Sequence, residues 1–508
     1  MKKSFILIIL IAVAMAGYPA KTPFLQAQLF YSKFYTPADG PYLETYLSVV
    51  GNSVSFVKNE TGKFQGTIEI TMIFSKDGKV ANFDKYELLS PEVDDTTTIN
   101  FNFLDQQRFT LPNGIYDYEI QIRDKNSLAE PFKTNQTVEI NFAEGVISIS
   151  GIELLQKYSK STETSIITKS GYDLVPYVYT FFPDKVNSLK FYTEIYNTQK
   201  VLGEEGKFLV NYFIESYETQ RQLADFVRFK RETAKVVNII LAEFEISKLP
   251  SGNYNLVIEV RDTKNEIITN NKVFFQRSNP DVEANYSDFA GISTENSFVT
   301  KITNRDSLME YIRSLDPISS EIEKTYVKYQ IEKANAGLDV MQRYFLNFWL
   351  NRDEKNPELA WKQYLTNVEL VDEQFGYPGK KGGRKGYDTD MGRIYLKYGP
   401  PNTITDRPYD ASGSGMTINN GGSSTASAGS VPYQIWHYYT LNNQRNKKFV
   451  FANPNLAAYD YVLIHSNVPG EINNENWQSE LARIKEGLSL PGDDKYKGQS
   501  GEFYDNPR

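Results

Sequence analysis

Leu111-Pro112-Asn113-Gly114-Ile115-Tyr116-Asp117-Tyr118-Glu119-Ile120-Gln121-Ile122-Arg123-Asp124 has a counterpart later in this chain. At an offset of 138 residues the chain reads Leu249-Pro250-Ser251-Gly252-Asn253-Tyr254-Asn255-Leu256-Val257-Ile258-Glu259-Val260-Arg261-Asp262, with Leu, Pro, Gly, Tyr, Arg and Asp recurring in place. Upstream, Asn100-Phe101-Asn102-Phe103 and Asn238-Ile239-Ile240-Leu241 fall at the same offset. Self-similarity at so long a period marks a duplicated domain rather than a solenoid repeat. Within the unit, Pro-x-Gly sets a tight turn, Pro fixing φ and Gly permitting positive φ. Tyr116, Tyr118, Ile120 and Ile122 then alternate with Asp117, Glu119 and Gln121, the period-2 pattern of a half-buried strand. Tyr116 and Tyr254, entering a strand from a turn, are expected to be core or corner residues. Arg123 with Asp124, and Arg261 with Asp262, are expected to pair across the following turns.

Working outward, alternating or apolar β-branched runs cover residues 67–74, 136–142, 189–196 and 208–214. Short strands separated by turn signals predict two β-sandwiches of immunoglobulin or fibronectin type, over residues 22–145 and 150–278. The charged stretch 218–235 interrupts the pattern and reads as a helix or a long edge excursion.

The chain has 508 residues, 70 of them aromatic, no cysteine and two histidines. Without Cys there is no disulfide framework, thiolate nucleophile, iron–sulfur cluster or cysteine-ligated zinc. His437 and His465 alone cannot build a His-rich metal site, and any Ser-His-Asp triad must use one of them. Met1-Lys2-Lys3, the apolar run from Phe5 to Ala16, and Ala14-Met15-Ala16 read as a secretory signal peptide over residues 1–16, too short to span a bilayer. Its removal takes two lysines and no acids, leaving 53 basic against 63 acidic residues and a formal charge of −10. The chain is therefore expected to be exported, to the periplasm or an outer-membrane or surface location, with no transmembrane span after cleavage. The acidic balance points away from nucleic acid as a partner.

From about Asp281 the period changes, and residues 281–485 read as a helix-plus-antiparallel-sheet domain. Ser320-x-x-Glu323 is a capping box. Ile322, Tyr326, Tyr329, Leu338, Met341, Phe345, Phe348 and Trp349 then return at three- and four-residue spacings, predicting one long amphipathic helix bent at Gly337. A second helix starts at Asn356-Pro357, carries a stripe of Ala360, Tyr364, Val368, Val371 and Phe375, and stops at Gly376. The polar run from Lys380 to Arg393 leads into Ile394-Tyr395-Leu396-Lys397-Tyr398, predicted as a strand ending at Gly399-Pro400-Pro401. Further strands are predicted at residues 434–441, 448–451 and 459–465. The Ser/Gly/Asn-rich segment 411–430 reads as a flexible loop and residues 490–508 as a disordered tail. The predicted class is thus multidomain and mainly β, with an α+β C-terminal domain.

Phe348-Trp349 with Arg352-Asp353, Phe375-Gly376, Gly386-Tyr387-Asp388-Thr389-Asp390, and Gly392-Arg393 through Gly399-Pro400-Pro401 together resemble the GWxTD domain family of bacterial envelope proteins. Pro432, Trp436 and Tyr438 are similar to that family's later aromatic strand, so the resemblance spans roughly residues 300–470. Tyr387 occupies the position of the naming tryptophan, keeping the aromatic ring but losing the indole donor. The resemblance implies an exported protein, often with β-sandwich modules alongside, and supplies no reaction.

The candidate binding residues are Tyr387, Asp388, Thr389, Asp390 and Arg393, together with Lys380, Lys381, Arg384 and Lys385. Asp388-x-Asp390 in a Gly-rich loop could offer oxygens to a hard cation, or one acid and one base, although the spacing fails the full calcium-loop pattern. On a strand the two would face opposite sides. The competing structural reading has Thr389 and Asp390 bonding the loop backbone while Arg393 pairs with Asp388 or Asp390. The basic cluster lacks the context of a phosphate-binding loop and reads as a solvated loop, or as a surface for an acidic glycan or lipid headgroup. No Gly-x-Ser-x-Gly elbow accompanies His437 or His465. No cofactor or metal is implied, and no catalytic residue is assigned. The leading expectation is a non-catalytic envelope protein that binds or scaffolds a protein partner or surface polymer. The alternatives are a hydrolase or carbohydrate-active enzyme using acidic residues, and a component of a secretion or outer-membrane assembly machine.

Overall fold

Tyr116 and Tyr254 occupy the same corner in two copies of one sheet. The Tyr116 hydroxyl donates to the Pro112 carbonyl at 2.7 Å and the Tyr254 hydroxyl to the Pro250 carbonyl at 3.0 Å, each satisfying a polar tip whose ring is buried. The computed structural model in which this is seen describes residues 25–282, 292–377, 383–407, 416–418, 424–426, 431–442, 444–454, 461–474, 477–478 and 481. The expected signal peptide, the tail 490–508, and Lys380 and Lys381 lie outside the described residues. Of the segment 411–430, only an antiparallel pair, Met416–Ile418 with Ser424–Ala426, lies within them.

The chain divides into two units, one comprising residues up to Tyr31 and Tyr42–Ile140, the other Ser32–Pro41 and everything from Asn141 onward. The early strands are β1 (Ala27–Thr36), β2 (Gly40–Val50), β3 (Thr67–Lys76), β4 (Lys79–Leu89), β5 (Asn102–Thr110), β6 (Gly114–Asp124) and β7 (Phe132–Ile140). They form a four-stranded sheet in the order β4-β3-β6-β7 and a three-stranded sheet β1-β2-β5. Phe74 of β3 meets Phe109 of β5 at 4.8 Å between ring centroids and stacks on Tyr118 at 4.5 Å, which places the core between the sheets.

The second unit repeats this order. Its main strands are β8 (Glu153–Lys160), β9 (Ser188–Tyr196), β10 (Lys207–Ser216), β11 (Gln222–Thr233), β12 (Val237–Glu245), β13 (Gly252–Arg261) and β14 (Ile267–Arg277). The sheet β11-β10-β13-β14 matches β4-β3-β6-β7 strand for strand, and β9 lies between β8 and β12. The chain is thus mainly β, with two immunoglobulin- or fibronectin-like sandwiches. Of the two readings of stretch 218–235, the long edge excursion holds: it is largely edge strand β11. Two local expectations need correction. Gly114 and Gly252 open their strands without positive φ. Asp124 and Asp262 do not pair with their neighbouring arginines: Asp124 accepts from the Ser55 and Asn126 amides, Asp262 from those of Lys264 and Glu266, while Arg261 pairs with Glu259 at 2.7 Å. Short carboxylates at a turn reach backbone amides more directly than the long guanidinium does.

The remaining chain forms helices α1 (Arg305–Ser314), α2 (Glu321–Tyr326), α3 (Leu338–Leu350), α4 (Pro357–Phe375) and α5 (Asp390–Tyr398), then a sheet of β15 (Thr403–Arg407), β16 (Tyr433–Leu441), β17 (Gln444–Ala452) and β18 (Val462–Ser466) in that order. The single bent helix expected over 322–349 is three pieces. The Ser320/Glu323 capping box starts α2, a π-helical segment follows over Val327–Lys333, and positive φ at Asn335 breaks the chain before α3. Trp349, Trp361, Phe345 and Tyr364 pack together between α3 and α4. Arg352 fastens this layer: it grips both oxygens of the buried Glu323 at 2.9 and 3.0 Å, donates to the Ile318 carbonyl at 2.6 Å, and lies over the Phe348 ring.

Candidate functional site

Ile394 to Tyr398, expected as a strand, is helix α5, and the reason lies just before it. The Thr389 hydroxyl donates to the Gly386 carbonyl at 2.7 Å and accepts from the Gly392 amide at 3.0 Å, so Thr389 caps the helix from a fully buried position. With the helix so started, Met391 and Ile394 turn onto the sheet around Trp436, Phe449 and Phe451. Residues 386–388 form one 3₁₀ turn against α4, where the Gly386 amide donates to Asp372 at 2.6 Å. A Cβ at residue 386 would lie 2.0 Å from the Val371 carbonyl oxygen, and one at residue 392 would lie 1.9 Å from that of Gly386. Both glycines are there because backbone passes backbone, not because of φ.

Asp390 and Arg393 are used up by the chain itself. Asp390 accepts from the Leu463 amide of β18 at 2.7 Å, tying the start of α5 to the sheet. Arg393 approaches Asp390 only to 4.0 Å; its stronger partner is Glu471, at 2.9 Å. Glu471 also accepts from Lys397 and from the Tyr398 hydroxyl, each at 2.8 Å, with its side chain 3% exposed. Burial alone would raise the Glu471 carboxyl, but Lys397 and Arg393 hold it below the ordinary range. Nothing in the sequence singles out Glu471.

Tyr387 and Asp388 face elsewhere. They line a cleft of about 640 Å³ whose other walls come from α1, the turn after it, α2 and the π-helical segment. The Tyr387 ring is buried, and its hydroxyl donates to Glu310 at 2.9 Å. Lys385 also pairs with Glu310, at 3.0 Å, and lies 3.6 Å from Asp372. Burial would raise Glu310, yet the bonds from Lys385 and Tyr387 hold it below its usual value. Burial pushes the Asp388 carboxyl up, against the pull of the Arg384 guanidinium, which spends a donor on the Asp388 carbonyl instead. Asp388 and Asp390 therefore belong to different environments and do not form a shared ligand pair, and no group of three or more His, Asp or Glu side chains suited to a metal ion occurs among the described residues. Glu310 and Lys328 were not read from the sequence. The cap Asn304, which accepts from the Ser307 amide at 2.9 Å, was a signal for α1 and so for Glu310. The π-helical turn that carries Lys328 leaves no comparable mark.

No protein-family model matches the chain, and no curated protein matches it. Solved structures similar to parts of it include the fibronectin(III)-like modules of Clostridium thermocellum CbhA, 10% identical over 48% of this chain and 90% of that one, with a TM-score of 0.14. Salmonella alpha-2-macroglobulin reacted with methylamine is 10% identical over 50% of this chain, with a TM-score of 0.15; a calcium-binding mutant of Bacteroides uniformis beta-glucuronidase 2 is 8% identical over 49%, with a TM-score of 0.16. The chain spans only 17% and 32% of the length of the last two. At these TM-scores the fold rests on the strand order above, not on the likeness.

Proposed function

We propose that this is an exported, non-catalytic cell-envelope protein whose GWxTD-like domain binds a protein partner or surface polymer, with the sandwiches as spacers or docking surfaces. One observation carries the reading: Thr389, Asp390 and Arg393 close on the protein's own backbone and on Glu471, whereas the neighbouring cleft is lined mainly by charged side chains, most of them paired with one another. Its hydroxyls are engaged, Ser319 with the Leu315 carbonyl at 2.9 Å and Tyr387 with Glu310. Neither histidine lines the cleft. No helix among the described residues is long and apolar enough to cross a membrane. The test is a photocrosslinking residue placed at position 327, in the cleft, with a control at the exposed Phe229 on β11, in the cells that make the protein. A specific adduct from position 327 alone is expected; none from either position would remove the main support.

A hydrolase using acidic residues is the second reading. It is favoured by Glu310 and Asp388 sharing a cleft while their carboxyls are displaced in opposite directions, Glu310 down and Asp388 up. Glycans or peptides cleaved by the wild type and equally by Asp388→Asn and Glu310→Gln variants would dispose of it.

A further inference from the structure

We infer that the cleft recognises a zwitterionic polypeptide segment, one carrying a basic and an acidic side chain close together, rather than an acidic polymer; the inference rests on the binding reading above. Its charged lining is balanced, with Glu310, Asp316, Glu332 and Asp388 against Arg313, Lys324, Lys328 and Lys385. Three pairs neutralise one another: Lys385 with Glu310 at 3.0 Å, Arg313 with Glu332 at 2.9 Å, and Lys324 with Asp316 at 3.9 Å. That leaves one carboxylate, Asp388, and one ammonium, Lys328, both exposed and without an ion-pair partner among the described residues. They come from different elements, Asp388 from the turn before α5 and Lys328 from the π-helical segment, a kind of distortion often found at working sites.

A ligand that completes this lining must bring a cation to Asp388 and an anion to Lys328. A polyanion would satisfy Lys328 but confront Asp388 and three carboxylates already paired; a polycation would meet the converse difficulty. Lys385, read from the sequence as part of a solvated basic loop or of a surface for an acidic glycan or lipid headgroup, pairs with Glu310. A peptide meets the requirement because ammonium and carboxylate sit on separate side chains whose methylene stems can lie along Ile312 and Val327, and a cleft of this size holds more than one residue. A phosphoethanolamine headgroup is also zwitterionic, but it fixes its two charges a few bonds apart and leaves most of the cleft empty.

The test measures binding of the full chain to labelled, end-capped octapeptides containing Lys and Glu in a Gly/Ser background, against all-Glu and all-Lys octapeptides and phosphatidylethanolamine vesicles. The wild type is expected to prefer the mixed peptide. Reversing one charge turns an attraction into a repulsion and should change affinity roughly tenfold. Asp388→Lys should move preference toward the all-Glu peptide, and Lys328→Glu toward the all-Lys peptide, a change of selectivity that mere loss of folding does not produce. Asp388→Asn and Lys328→Met, which perturb the fold less, should each weaken mixed-peptide binding severalfold. Wild-type preference for all-Glu peptide or vesicles, or variants whose selectivity equals the wild type's, would overturn the inference. An envelope adduct from position 327, where the crosslinker leaves Asp388 and Lys328 in place, together with either of those outcomes would sink this inference and leave the binding reading standing; no adduct at all would sink the reading itself.

Discussion

Replacing Glu471 by Gln tests whether Arg393 is structural. The carboxylate is the shared acceptor for Arg393, Lys397 and Tyr398, so the substitution leaves two cations facing a neutral amide. Removing one member of a fully buried pair costs about 3 to 5 kcal/mol. Arg393 and Lys397 keep 27% and 16% of their side-chain surface, and water there recovers part of the loss, so about 2 to 3 kcal/mol is expected at pH 7. All four tryptophans, Trp349, Trp361, Trp436 and Trp477, lie in the second half of the chain, so urea unfolding followed by their fluorescence reports this region without the first sandwich. With a slope of about 1 to 3 kcal/mol per molar urea, the midpoint should fall by roughly 1 M. The pH dependence follows from the lowered Glu471 carboxyl. Its stabilisation is fully present above the ordinary glutamate value of 4.5 and is lost as pH falls through the lower folded value. The gap between wild type and variant should therefore close only below about pH 4.5. A change under about 0.5 kcal/mol at pH 7, or a gap that stays constant into acid, would refute the reasoning.

A separate acid effect comes earlier. Burial, with Lys448 adding to it, pushes His465 down to about 4 from the usual 6.5, so the unfolded chain takes its proton first and the sheet should lose up to about 3 kcal/mol between pH 6.5 and 4; His465→Gln should flatten that interval in the same fluorescence assay. Tyr116→Phe and Tyr254→Phe each remove one corner hydrogen bond and should each cost about 1 kcal/mol by chemical denaturation followed by circular dichroism, adding when combined because they sit in different sandwiches. Gly386→Ala and Gly392→Ala place a methyl group about 2 Å from a carbonyl oxygen and should each cost more than about 3 kcal/mol, seen as loss of the tryptophan-reported transition, whereas Gly399→Ala meets open space and pays only for its positive φ.

The repeat was legible because both copies spell out the same local physics, and the strand order of one predicts that of the other. What differed between the copies was written more faintly. β6 alternates buried and exposed residues, while β13 is buried on both faces; the second copy carries Val257 where the first has Glu119, an apolar residue on what the pattern calls the outer face. α5 was misread because Ile394-Tyr395-Leu396 has strand composition, and the deciding group is a threonine hydroxyl five residues earlier whose cap becomes visible only beside the Gly386 carbonyl. Glu471 and Lys328 were illegible for another reason: a lone glutamate after Pro469-Gly470 and a lysine in a polar helix have no local signal, and their meaning is set by Arg393, 78 positions away, and by Asp388, 60 positions away.

The division of labour inside Gly386-Tyr387-Asp388-Thr389-Asp390 has a consequence for how such a domain could vary. Gly386 lets the turn lie on α4, Thr389 starts α5, and Asp390 holds that helix to β18; Tyr387 fills the cleft floor and anchors Glu310. Each of these is fixed by a contact within the protein, so changing any of them changes the fold before it changes a ligand. Asp388 alone projects a side chain into the cleft without a structural partner, opposite a segment whose π-helical turn supplies Lys328. The two unpaired charges can therefore be altered or reversed at little cost to stability. If the cleft is a binding site, recognition is carried at positions 388 and 328 and the scaffold by the residues around them. Reversing either charge should then redirect binding while the stability read from urea unfolding changes by less than about 0.5 kcal/mol, as for ordinary surface substitutions; a large loss of stability would place that residue within the scaffold and remove the distinction.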